Sequence, residues 1–170
     1  YHQAKQKKIL YPDQIFLKKS PHLYPYEIND RQTFKNGVSI RFRPIKPSDE
    51  EQMRKLFYRF SDESIYYRYF HTITIMPHSK MQEYVNIDWN YTMSIVGLVG
   101  EPGEGILIAE ARYLIGKSNH RAEIAIIVDE KYNNFGIATY MVDLLIKLGK
   151  ERGIKVFTAE VLFSNFKIMK

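Results

Sequence analysis

Between residues 121 and 162 the spacing of apolar residues changes twice, and nothing else in the chain narrows its possible folds as much. RAEIAIIV (Arg121–Val128) is a nearly continuous apolar run of strand length. The next stretch, GIATYMVDLLIKLGKERG, puts Ile137, Met141, Leu144, Leu145 and Leu148 on one helical stripe and stops at Gly153. IKVFTAEVL (residues 154–162) returns to strand character. A strand–helix–strand crossover favours parallel pairing of its two strands, with the helix laid on one face of their sheet.

The residues before this unit are built differently. In GVSIRFRPI (residues 37–45), Val38, Ile40 and Phe42 alternate with Ser39, Arg41 and Arg43, the pattern of a half-buried strand. A helix follows, with Ser48 as its N-cap, three acids (Asp49, Glu50 and Glu51) in its first turn, and Met53, Leu56, Phe57 and Phe60 at helical spacing. SDES opens IYYRYF (residues 65–70), and HSKMQEYVNID after Pro77 reads as a short helix. YTMSIVGLVG and GILIAEARYLI are strands joined at EPGE, a hairpin turn with Pro102 and Gly103 in their usual places. With RAEIAIIV they form a three-strand antiparallel meander. The expected fold is an α+β domain whose mixed sheet joins this meander to the parallel crossover, flanked by helices.

Length and composition fit one folded domain. The chain has 170 residues, 45% apolar and 14% aromatic, enough to bury a sizeable core. The absence of cysteine rules out disulfides, thiolate metal sites and a cysteine nucleophile. No segment reaches the roughly 18 apolar residues of a membrane span, and YHQAKQKKIL has no signal-like apolar core, so a cytoplasmic protein is expected. The net charge of +6 invites a nucleic-acid reading, but its distribution argues against one. Residues 1–36 hold seven Lys/Arg against three acids, whereas the rest holds 18 against 16. Residues 1–36 also carry three of the seven prolines and read as an N-terminal extension or interdomain connector, leaving residues 37–170 as the domain.

Two features carry chemistry. The loop VDEKYNNFGIATYM leads from a strand into a helix whose first amides have no partner in the helix and sit at the positive end of its dipole. An anion can be held there by backbone alone, with Gly136 allowing close approach and Ala138 and Thr139 keeping the first turn uncluttered. A plain strand-to-helix turn is the other reading. Glu123 is the one acid inside AEIAIIV, where a carboxylate needs a partner or a task. An ion pair with Arg112 or Arg121 would be a structural role; a general base is the functional one.

N133-N134-F135-G136-I137-A138 follows the pattern Gln/Arg-x-x-Gly-x-Gly/Ala and resembles the acyl-CoA pyrophosphate loop of the GNAT superfamily of N-acyltransferases. Asn133 stands where that family usually has Gln or Arg. The element order and AEIAIIV agree, and the resemblance covers about residues 38–170. IRFRPIKPSDEEQMRKLFYRFSDESIYYRYF, NIDWN and FTAEVLFSN are similar to the GNAT domains of bacterial Pat-type protein lysine acetyltransferases. Such domains are often joined to acyl-CoA-metabolising modules, so the resemblance implies fusion to or association with one.

The resemblance implies acetyl-CoA as cosubstrate and a protein or small-molecule amine as acceptor. Asn133, Asn134, Phe135, Gly136, Ile137, Ala138 and Thr139 would then hold the pyrophosphate. A backbone N–H around Ile126, Ile127 and Val128 would meet the thioester carbonyl where that strand splays from residues 154–162, and Asn165 would contact the pantetheine or order the following helix. Asn165 as a helix N-cap is the alternative. Glu123 would take the amine proton directly or through water. A lysine amine is free base only about one part in 2,500 at pH 7, and partial burial would tune the glutamate for this task. In this family a helix with a tyrosine general acid and two further strands follow the asparagine; this sequence ends at Lys170, at the start of that helix. A non-catalytic acyl-CoA-sensing domain is the competing function.

Tyr66–Phe70 could line an acceptor groove but fits core packing better. His2, His22, His71, His78 and His120 show no metal-ligand spacing, and no G-x-S-x-G elbow is present. No metal, nucleic-acid or membrane partner is expected.

Overall fold

The computed structural model describes residues 24–59, 78–101, 103–118 and 120–159. Six strands form one sheet in sequence order: β1 (Asp30–Thr33), β2 (Ser39–Pro44), β3 (Thr92–Val99), β4 (Ile106–Ile115), β5 (Arg121–Val128) and β6 (Val156–Ala159). Neighbours pair antiparallel up to β5, and β5 and β6 pair parallel, with Glu123 opposite Thr158 and Ile124 opposite Ala159. The helices are α1 (Glu50–Tyr58), α2 (His78–Val85) and α3 (Ile137–Glu151). This is the mixed sheet expected from the change of period, with α3 as the crossover.

The two faces of the sheet carry separate cores. Ile40, Phe42, Ile95, Ala109, Ala111, Tyr113, Ala122 and Ile124 face α3, which contributes Ile137, Met141 and Leu145. Val96, Leu98, Leu107 and Ile127 face α1 and α2, which contribute Met53, Leu56, Phe57, Met81 and Val85. Both faces of β3 and β4 are covered, so nearly every residue in these strands is buried. Leu144 and Leu148 pack at the margin of the first core, completing the α3 stripe.

The ends of α3 are built by backbone. Gly136, just before it, has φ +92, and Gly153, just after it, has φ +87. At the far end the Ile154 amide donates to the Gly149 carbonyl and the Gly153 amide to Lys150, each at 3.0 Å, a Schellman stop as the glycine implied.

Two local readings are corrected. Ser48 does not cap α1: a 3-10 turn over Pro47–Asp49 precedes the helix, and Asp49 accepts from the Lys46 amide at 2.8 Å. Arg43 holds both Asp49 oxygens at 2.7 Å, which lets this carboxylate sit buried. Within residues 1–36, Asp30–Thr33 forms the edge strand β1. Its DRQT sequence has no apolar alternation to announce it. Phe60 and residues 61–77, including Tyr66–Phe70, lie outside the described residues, as do residues 160–170.

Candidate active site

The loop between β5 and α3 is pinned at several points. The Asp129 amide donates to the Ile108 carbonyl at 2.7 Å, and a 3-10 turn over Glu130–Tyr132 follows. Asp129 is buried; one of its oxygens caps this turn by accepting from the Lys131 amide at 3.0 Å. The other accepts from Arg59 Nε at 2.8 Å, tying the loop to the end of α1. Tyr132 and Phe135 pack against the core on the α3 side. Asn134 takes φ +69, a left-handed conformation that asparagine tolerates better than most residues.

This pinning presents the start of α3 with its amides bare. No side chain caps the helix, and the first bond back to Gly136 comes from the Tyr140 amide at 3.0 Å. Among the described residues, the amides of Ile137, Ala138 and Thr139 have no hydrogen-bond partner. Asn133, Asn134, Gly136 and Thr139 are exposed, Phe135 and Ala138 half-buried, and Ile137 buried. The seven loop residues named from the sequence thus lie in one turn. They divide into a solvent-facing rim and an apolar anchor.

Glu123 occupies the same strand, five residues before Val128, or about 17 Å at the usual strand rise. Its Cα partner is Leu114, so both side chains lie on the sheet face that carries α1 and α2. Glu123 is exposed rather than partly buried, and so is Leu114 beside it. The alternative ion pairs are not formed: among the described residues Glu123 has no hydrogen-bond or ion-pair partner, and Arg112 is engaged elsewhere. Ile127 and Val128 are buried and Ile126 half-buried. The described pairing of β5 with β6 ends at Ile124, so the expected splay lies partly outside the described residues, as does Asn165.

A buried carboxylate in the same row of this face belongs to Glu110, which sequence reasoning missed. Glu110 is fully buried and accepts from Ser94 Oγ at 2.6 Å, Arg112 Nε at 2.6 Å and the Tyr84 hydroxyl at 2.7 Å. Arg112 also donates to the Tyr84 carbonyl at 2.9 Å, and its guanidinium carbon lies 3.6 Å from the Tyr84 ring centroid. Strand alternation places Glu110, Arg112 and Leu114 in a row, and Glu123 lies beside the end of it. An acid and an arginine two apart in ILIAEARYL were the available signal.

Among the described residues no group of three or more His, Asp or Glu side chains is placed to hold a metal ion, and no helix is long and apolar enough to cross a membrane. The candidate site has two parts joined by the loop over residues 129–136: bare amides at the start of α3, which suit an anion, and the exposed Glu123 carboxylate on β5.

Comparison with known proteins agrees with this fold. The GNAT domain of S. lividans PAT superposes with a TM-score of 0.77 at 28% identity, covering 86% of each chain. The acetyltransferase Pat of Mycolicibacterium smegmatis is 29% identical over 137 residues, which span 80% of this chain and 40% of that enzyme. An acetyltransferase of Pseudomonas aeruginosa is 23% identical over 124 residues, 73% of this chain and 67% of the relative. The chain thus corresponds to only part of the curated relatives it matches. The sequence profile of the acetyltransferase (GNAT) family matches residues 49–169, and the chain belongs to that family.

Proposed function

We propose that this chain is an acetyl-CoA-dependent N-acetyltransferase domain that modifies a protein lysine by direct attack in a ternary complex. GNAT acetyltransferases use acetyl-CoA, and the likeness to Pat enzymes favours a lysine acceptor. Glu123 carries the mechanistic part of the reading, because it is an exposed carboxylate without a partner on the strand that runs into the bare α3 amides.

The bound acetyl-CoA supplies an acyl thioester. The amides of Ile137, Ala138 and Thr139, aided by the helix dipole, hold its pyrophosphate, with Gly136 giving the backbone room and Asn133 and Asn134 at the rim. A backbone N–H of β5 in the stretch Ile126, Ile127 and Val128 meets the negative charge that develops on the carbonyl oxygen. Glu123 accepts the ammonium proton of the acceptor, directly or through one water, so that a neutral amine attacks. Asn165 contacts the pantetheine arm. Residues before β1 serve as a connector to an acyl-CoA-metabolising module, and the transferase domain takes in β1 as its edge strand.

Calorimetry with acetyl-CoA and with CoA tests the cosubstrate, and mass spectrometry of acetyl transfer to lysine peptides tests the acceptor. A folded sample that binds neither nucleotide would overturn the reading.

A further inference from the structure

A second cationic site lies at the other side of the sheet. A cleft of about 380 Å³ opens between the segment before β1 and the end of β2. Arg41, Arg43 and Lys46 line it, and among the described residues no carboxylate does. Arg43 is neutralised by Asp49, but Arg41 and Lys46 have no acidic partner among the described residues. Arg41 is half-buried, and among the described residues its buried Nε has no hydrogen-bond partner, which leaves that N–H unsatisfied unless a ligand takes it. The strand register adds to this charge: Arg31 on β1 lies directly opposite Arg41, a like-charge pair that is destabilising unless an anion sits with it.

The remaining lining is mixed. Asn29 and Ser48 offer neutral donors, while Tyr24, Tyr26 and Ile28 form apolar wall. Tyr24 and Tyr26 meet edge to face at 4.6 Å, and Lys46 lies 5.8 Å from the Tyr24 centroid. The Tyr24 hydroxyl is already used, donating to the Pro44 carbonyl at 2.6 Å, which fixes this ring as wall.

We propose that this cleft binds a small phosphate monoester carried on a planar apolar body. Two uncompensated cations match a dianionic phosphate, arginine suits its geometry, and the cleft is larger than a phosphate alone requires. The site is separate from the cosubstrate loop. It is built on the segment before β1, on β2 and the turn after it, and on Gly103 of the β3–β4 turn, whereas that loop follows β5.

Phenyl phosphate is the probe, titrated into the full chain by calorimetry with and without saturating CoA. Saturable binding that persists with CoA, and weakens about tenfold or more in Arg41→Gln and in Lys46→Gln, is the expected result. Inorganic phosphate should bind more weakly because it leaves the tyrosine wall bare. If Arg41→Gln does not fold, as circular dichroism would show, the Lys46→Gln titration decides. No saturation by about 10 mM phenyl phosphate overturns the proposal, as does binding that CoA abolishes and both substitutions leave unchanged. A phosphotyrosine peptide binding more tightly than phenyl phosphate would assign the cleft to a protein partner and overturn it too. Acetyl-CoA affinity unchanged in both variants would keep this outcome independent of the transferase reading.

Discussion

Arg59, at the end of α1, donates through Nε to Asp129 at 2.8 Å and through Nη2 to the Leu107 carbonyl at 2.7 Å. One side chain therefore joins the helix on one face of the sheet, the start of β4 and the loop that opens toward α3. Asp129 is buried, so its charge depends on this partner. Arg59→Met should cost about 2 kcal/mol in urea unfolding, and acetyl-CoA affinity should fall with it because the loop loses an anchor. An unchanged affinity in a destabilised variant would show that the loop is held without Arg59.

Glu123 separates chemistry from stability. Because it is exposed and unpaired, Glu123→Gln should change unfolding free energy by no more than about 0.5 kcal/mol. Turnover at neutral pH should drop about 100-fold, with acetyl-CoA affinity preserved. Parallel loss of stability and activity would assign it a structural role.

Glu110 should behave in the opposite way. Glu110→Gln removes the charge that Arg112 is buried against and should destabilise the domain by about 3 kcal/mol, read as a lower midpoint in denaturant. The Tyr84 and Ser94 hydroxyls also lose their ionised acceptor.

The hydroxyl of Tyr140 donates to Asp30, which joins α3 to the edge strand β1. This bond, helped by Gln32, holds the Asp30 carboxyl below its usual range, while burial and the nearby carboxylate push the Tyr140 phenol up to about 12. A lowered carboxyl contributes stability above its unfolded value and loses it as pH falls through the folded one. A raised phenol contributes below its unfolded value, near 10, and loses it as pH rises toward about 12. Wild type minus Tyr140→Phe should therefore be largest from pH about 5 to 9 and shrink at both extremes in pH-resolved thermal melts. A flat difference would remove the bond from the stability of the fold.

The strand–helix–strand unit was legible because three backbone rules agree there. The apolar run of β5, the stripe of α3 and the left-handed stop at Gly153 each act locally. β1 was not legible, since a polar edge strand with one paired side leaves no alternation to read. Ser48 is a capable cap, but the turn before α1 is fixed by Asp49, which accepts from the Lys46 amide and is held by Arg43 from β2, a contact no local pattern announces. The two glutamates teach the same lesson. Glu110 and Glu123 point to one face, but α2 reaches the first through Tyr84 and leaves the second exposed. Alternation assigns a face to a side chain; it does not say where the covering helix stops.

Where α3 passes over β6, a Cβ on Gly149 would lie 2.5 Å from Phe157 Cζ. Gly149 sits in the last turn of α3, and its lack of a side chain lets the crossover helix lie against its own returning strand. Selection on such a chain should act on its glycines through different filters. In a library sorted for folding alone, position 149 should reject every larger side chain while position 136 admits a few. Sorting the survivors for cosubstrate capture should then close position 136 as well.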